Sequence, residues 1–293
     1  VLAMILTLEW DALLIARILA KAVTYYACLA AIGTVLFRVL HKAAAHEQKR
    51  FLCTWLRMSA VVALAATASA WALDVQWLFG DLMAVLQDRA MLAVSLQSDF
   101  GNAVLIRALG LLLLLWPGWN RTGHLIQFGG ALLVLFSFTL VGHTVKEPRY
   151  LMGAGILIHL AALAYWIGGL APIFRAPRIM GAQQGGRLVE GFGRNAVIAV
   201  GAAVVTGSLL IWGITGRFLL PTTSAYENFL VLKLLAFSGV MLLAGLNKLV
   251  LTPRLVEGQS KAARSLRISI VFEASIIAFV LFAIAAATTV GWP

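Results

Sequence analysis

RYLMGAGILIHLAALAYWIGGLAPIF, residues 149–174, carries no lysine, arginine or carboxylate after Arg149. A helix rises about 1.5 Å per residue, so this run exceeds the roughly 20 apolar residues that cross a hydrocarbon core of about 30 Å. One imidazole, His159, stands near its middle. Working outward, comparable segments recur at about 10–37, 51–73, 100–116, 125–145, 195–216, 229–250 and 268–290. They predict an all-α, polytopic membrane bundle of about eight transmembrane helices.

Composition agrees. The 293 residues are 61% hydrophobic and 12% charged, with a mean hydropathy of +0.93, whereas globular domains are about a quarter charged. Short loops leave no room for a sizeable soluble domain. The expectation is a single transmembrane domain, 1–293, loosely divided into four-helix halves, 1–146 and 147–293. The net charge of +11 does not point to nucleic acid, because the bases fall in short clusters between apolar runs. Cys28 and Cys53 are too few for a disulfide framework and differ in depth. Arg17 and Lys21 inside the first segment count against a cleavable leader.

The clusters set the orientation. Arg38, Lys42, Lys49 and Arg50 follow span one; Arg175, Arg178, Arg187 and Arg194 follow span five; Arg254, Lys261, Arg264 and Arg267 follow span seven. Placing these loops inside puts both termini outside. Segment 77–97 is interrupted by Asp81, Asp88 and Arg89, while Leu78, Leu82, Val85, Leu92 and Leu96 keep roughly helical spacing. It reads as an outer interfacial or re-entrant amphipathic helix. The glycine-rich stretch 181–193 reads as a mobile loop.

Ionisable groups inside spans are expensive, so each is a functional candidate. Lys233, close to an outer end, can snorkel. Arg57 and Arg107 also lie near an interface. Arg17 and Lys21, one turn apart, either pair with a carboxylate or line a polar cavity. Glu273 is the carboxylate well inside a span, and either pairs with one of these bases or serves as a gate or ion relay. His159, about eleven residues past Pro148, sits near mid-membrane. It is either a satisfied hydrogen bonder or a ligand.

His143 lies near the outer end of span four, across a short turn from His159. Seven residues of axial offset amount to roughly 10 Å. That suits two stations along one path better than one chelate or one haem. Met152, on the face of His159, and Met83 and Met91, beside Asp81 and Asp88, supply thioethers suited to copper when they are not simply packing. His41, His46 and His124 read as solvated loop residues. No phosphate loop, Cys-x-x-Cys pair, zincin pattern or Ser-His-Asp arrangement supports an enzyme.

Residues 142–169 resemble the copper resistance protein D family (CopD): Gly142-His143, a short turn, then His159 followed by Trp166-x-Gly168-Gly169. The likeness extends to Asp99-Phe100-Gly101 with Arg107, to Tyr226, Lys233 and Asn247-Lys248, and to Leu266-Arg267-x-Ser269-x4-Glu273. The CopD-like core runs over about 142–290. The resemblance implies a multi-pass protein of the bacterial inner membrane that moves copper ions, Cu(I) or Cu(II), from periplasm to cytoplasm. It also implies a separate periplasmic CopC-like copper-binding partner. On it, His143 and His159 lead as copper positions, and Trp166, Gly168 and Gly169 form a packing or gating element. Copper would be collected outside near Asp81, Met83, Asp88, Met91 and His143, pass His159, and leave past Glu273. Competing readings are a b-type haem electron carrier and a non-transporting copper sensor or delivery factor.

Overall fold

The computed structural model describes residues 11–142, 149–216 and 225–290. Their regular structure is helical throughout: α1 (Ala12–Leu40), α2 (Lys42–Glu47), α3 (Lys49–Phe79), α4 (Leu82–Gln87), α5 (Arg89–Gln97), α6 (Asp99–Leu114), α7 (Arg121–Ser137), α8 (Arg149–Ile179), α9 (Ala182–Thr215), α10 (Ala225–Leu246), α11 (Thr252–Val256) and α12 (Ser260–Val290). A π-helical turn, Asn247–Leu251, joins α10 to α11.

Helix starts follow local chemistry. Asp11, Asp81, Asp88, Ser98 and Asn120 each accept a backbone N–H of the first turn from their own side chain, the satisfaction that a helix N-terminus otherwise lacks. Gly80 closes α3 at φ 81° with its N–H on the Gln76 carbonyl, a left-handed cap that a Cβ would resist.

Six stretches are long and apolar enough to cross a membrane: Ala12–Leu40, Lys49–Phe79, Arg149–Ile179, Ala182–Gly213, Val231–Val256 and Ser260–Val290. α6 and α7, at 16 and 17 residues, are shorter and pack against each other. Outward-facing Ile198, Leu235, Leu242 and Phe272 are largely exposed, which suits lipid and would be a liability in water.

α1 is the hub. It packs on α3 and α7 from the first half of the chain and on α8 and α12 from the second. The α1–α8 crossing is a backbone contact: a Cβ on Gly33 would lie 1.7 Å from the Ala164 carbonyl oxygen, and one on Gly168 2.1 Å from Gly33 C. Without a hydrophobic drive between helices in lipid, such close approach is what holds them. The Gly110–Gly130 contact does the same for α6 and α7.

The structure corrects the reading of 181–193 as a loop, since α9 is continuous from Ala182. Gly185 lies against the backbone of Ala176 and Pro177, and Gly186 against Leu255 and Val256. These glycines make room for neighbouring helices. The 77–97 segment divides: α3 runs on to Phe79, and the remainder forms α4 and α5. The three basic clusters meet at one end of the bundle, where Gln48 donates to the Pro172 carbonyl (3.2 Å) and Gln184 to Glu47 (3.2 Å).

Candidate functional site

α8 carries most of the candidates, and its faces do different work. Met152 and His159 are buried against α9. Glycines on α9 accommodate them: a Cβ at Gly213 would collide with the Met152 thioether, and one at Gly207 would lie 3.1 Å from His159 Cε1. The ring's Nδ1 is 2.9 Å from the Ala203 carbonyl oxygen. A carbonyl only accepts, so Nδ1 carries a proton, and in the neutral ring Nε2 is left with a lone pair. Thr206, 3.4 Å from Nδ1, donates its hydroxyl to the Ala202 carbonyl at 2.6 Å.

The opposite part of α8 reaches α12. Trp166 donates its indole N–H to Glu273 Oε2 at 3.3 Å, and the Asn247 amide donates to Oε1. Thus three sequence candidates from α8, the π turn and α12 form one cluster. Glu273, 3% exposed, has neutral partners and no base beside it among the described residues, so the expected alternative of an ion pair does not hold. The π turn positions Asn247, and Thr252 satisfies its carbonyl at 2.7 Å. The Oδ1 atom of Asn247 and the Ser269 hydroxyl are buried without a partner. Gly168 meets α1, and Gly169 meets the Phe192 ring.

The bases sit elsewhere. Arg17 pairs with Asp74 at 2.7 Å and lies over Trp77, 4.2 Å from the ring centre. Lys21 donates to the Thr288 carbonyl at 3.2 Å. Lys233 is half-buried on α10. Asp81 and Asp88 cap α4 and α5 with their carboxylates; Met83 is exposed and Met91 half-buried. His143 lies outside the described residues.

At the basic end, His41 is not a solvated loop histidine. Its Nε2 is 2.9 Å from the Tyr165 hydroxyl, and its ring packs among Phe37, Tyr165 and Phe192. It borders a groove of about 370 Å³ with Glu47, Met180, Gln184 and Arg187. Burial holds the imidazole below its ordinary value of 6.5. His124 also packs, edge-on to Trp119. Arg38 is buried beside them, donating to Gln127 at 2.5 Å and lying over Trp119. The His41–Tyr165 and Arg38–Gln127 contacts join residues 124 and 89 apart in the chain, and local sequence carries no signal for them.

Two family comparisons bear on this arrangement. A sequence pattern described as copper resistance protein D matches residues 186–287. One described as copper resistance protein D-like, N-terminal domain, matches residues 9–148. The chain belongs to the copper resistance protein D family. It is therefore a copper-handling membrane protein. No curated protein and no solved structure matches it. The CopD match takes in Lys233, Asn247 and Glu273, whereas His159, Met152, Trp166, Gly168 and Gly169 fall between the two matched ranges. Among the described residues, no three His, Cys, Asp or Glu side chains converge as a metal cage.

Proposed function

We propose that this CopD protein moves copper ions across the bacterial inner membrane from periplasm to cytoplasm, with His143 and His159 as successive stations. The observation that carries the reading is the His159 ring, buried between α8 and α9 with Nδ1–H held by a backbone carbonyl. Metal-binding histidines characteristically use one nitrogen for such an orienting bond and offer the other to the metal. Met152, two turns outward on the same helix face, adds a thioether, and imidazole with thioether suits copper. A site without a full cage suits a transient stop. Permeation needs binding strong enough for capture and weak enough for release.

In this reading all eight apolar helices cross. α6 and α7 span roughly 24–26 Å at about 1.5 Å per residue and are accommodated as a tight pair in a locally thinner bilayer. Both termini then lie in the periplasm. The chain is a single transmembrane domain, with halves 1–146 and 147–293 joined through α1. Asp81, Met83, Asp88 and Met91 form the outer mouth, where a periplasmic CopC-like protein delivers copper. Trp166, Gly168, Gly169, Asn247 and Glu273 gate the inner half; Lys233 tunes the charge near His159, and Arg17 and Lys21 brace the outer end.

Copper flux into proteoliposomes containing this protein alone tests the proposal. Wild type carries copper, and His159→Ala at equal protein level does not. Flux unchanged by the substitution would sink it. Absence of flux in wild type would favour a delivery factor, and a Soret band in purified protein a haem carrier.

A further inference from the structure

We propose that the Trp166–Glu273–Asn247 cluster is a proton site, and that Glu273 carries the proton that exchanges as copper crosses. The inference rests on the transport reading above and names its coupling ion.

Its basis is the way Asn247 meets Glu273. In the orientation described, the amide Nδ2 donates to Oε1, an arrangement that suits an ionised carboxylate, and Oδ1 is left buried with no donor. Side-chain amide oxygen and nitrogen are nearly identical in shape. A half-turn of the amide therefore places Oδ1 where Nδ2 stood, and there it accepts the O–H of a protonated carboxyl. The orphaned oxygen then has its donor. One side chain thus serves both protonation states without backbone movement, and the indole N–H of Trp166 donates to Oε2 in each. Ser269, one turn earlier on α12 and therefore on the same face, offers a second buried hydroxyl without a partner.

Among the described residues, no cation pairs with this carboxyl. Four elements pack on α12: α1, α8, α10 with its π turn, and α11. On α1, Arg17 is held by Asp74, Lys21 by Thr288 and Arg38 by Gln127. On α8, Arg175 lies over Phe51 and His159 faces α9. Lys233 is fourteen residues before Asn247, roughly 21 Å along α10, while Lys248 and Arg254 are exposed. Arg267, on α12 itself, lies over Phe174. A carboxylate buried without a counter-charge is strongly disfavoured against its protonated form, so the resting group is the acid. In the exchange the O–H bond breaks, the proton passes to water, and its electron pair stays on the carboxylate, which the two N–H donors hold. Uptake of a proton from the other face restores the acid, with no change of oxidation state.

Two readouts test this. Infrared spectra of wild type in vesicles at neutral pH should show a protonated-carboxyl C=O band that Glu273→Gln removes. In proteoliposomes enclosing a pH-sensitive dye, copper flux should drive a proton movement that falls at least tenfold per copper in Glu273→Gln. Asn247→Leu, which deletes the amide but leaves the acid, should keep the band and slow the exchange. A Glu273 ionised at neutral pH, or a proton-to-copper ratio unchanged by Glu273→Gln, would overturn the proposal. If wild type carries no copper the transport reading fails, while the infrared band still decides whether the proton site exists.

Discussion

His159 Nδ1 lies 2.9 Å from the carbonyl oxygen of Ala203, one helix away. This bond sets which ring nitrogen is free, and it ties the ring's orientation to the packing of α8 on α9. Gly207 stands beside it, where an added methyl would come 3.1 Å from Cε1 and 3.4 Å from Nδ1.

Gly207→Ala should therefore disturb copper binding without touching a ligand. Displacing a supporting contact of a metal-binding histidine costs on the order of tenfold or more in affinity. Copper titration of purified protein checks this, with Gly201→Ala, which meets nothing within 4 Å, as the control on the same helix. Equal affinities in the two variants would show that the ring's position does not matter to copper.

The α1–α8 crossing makes a stability prediction. Gly168→Ala forces a Cβ into the backbone of Gly33 and Thr34, so the helices must separate, at a cost of about 1–3 kcal/mol. Gly129→Ala, with open space around it, should be neutral or slightly stabilising, because alanine favours helix by up to about 1 kcal/mol. Thermal unfolding in detergent distinguishes the two.

Arg17 and Asp74 should be coupled. Their side chains are 11% and 30% exposed, so water screens the pair in part, and a double-mutant cycle should return about 0.5–1 kcal/mol. Arg17→Met should cost more than Asp74→Asn, because it also removes the guanidinium from the Trp77 ring. Equal single-mutant losses would assign the stacking no energetic role.

At the basic end, pH is the probe. Burial holds folded His41 below 6.5, so between its folded and ordinary values the unfolded chain binds the extra proton. Stability contributed by the neutral ring is complete above about 6.5 and declines as pH falls through that value toward the folded one. Unfolding temperatures of His41→Gln should fall less steeply with acid than those of wild type. Parallel curves would mean that the ring charges freely in the fold.

The helices were readable from the amino-acid order because each signal is local. A long apolar run decides a span, and clusters such as Arg38 with Lys42 mark which ends lie together, whereas Asp81 and Asp88 read only as interruptions of 77–97 until the structure showed each capping a short helix. Glu273 was recognisable as a carboxylate out of place in an apolar helix, whereas Asn247 and Trp166 stood out only through the family resemblance. Glycine was the ambiguous letter. In 181–193 it reads as a loop, yet there it makes room for helix neighbours that no local pattern reveals.

Sequence alone therefore determined that the chain lives in lipid, roughly where its helices run, and which polar side chains are anomalous, since transfer into hydrocarbon depends only on the segment being transferred. Only the tertiary structure decided the company those side chains keep: Arg17 with Asp74, Glu273 with two neutral donors, and the His159 ring against a carbonyl of α9. Hydrogen bonds and backbone crossings depend on atoms a few ångströms apart in space but as many as 267 residues apart in the chain, and that proximity exists only once the helices have packed.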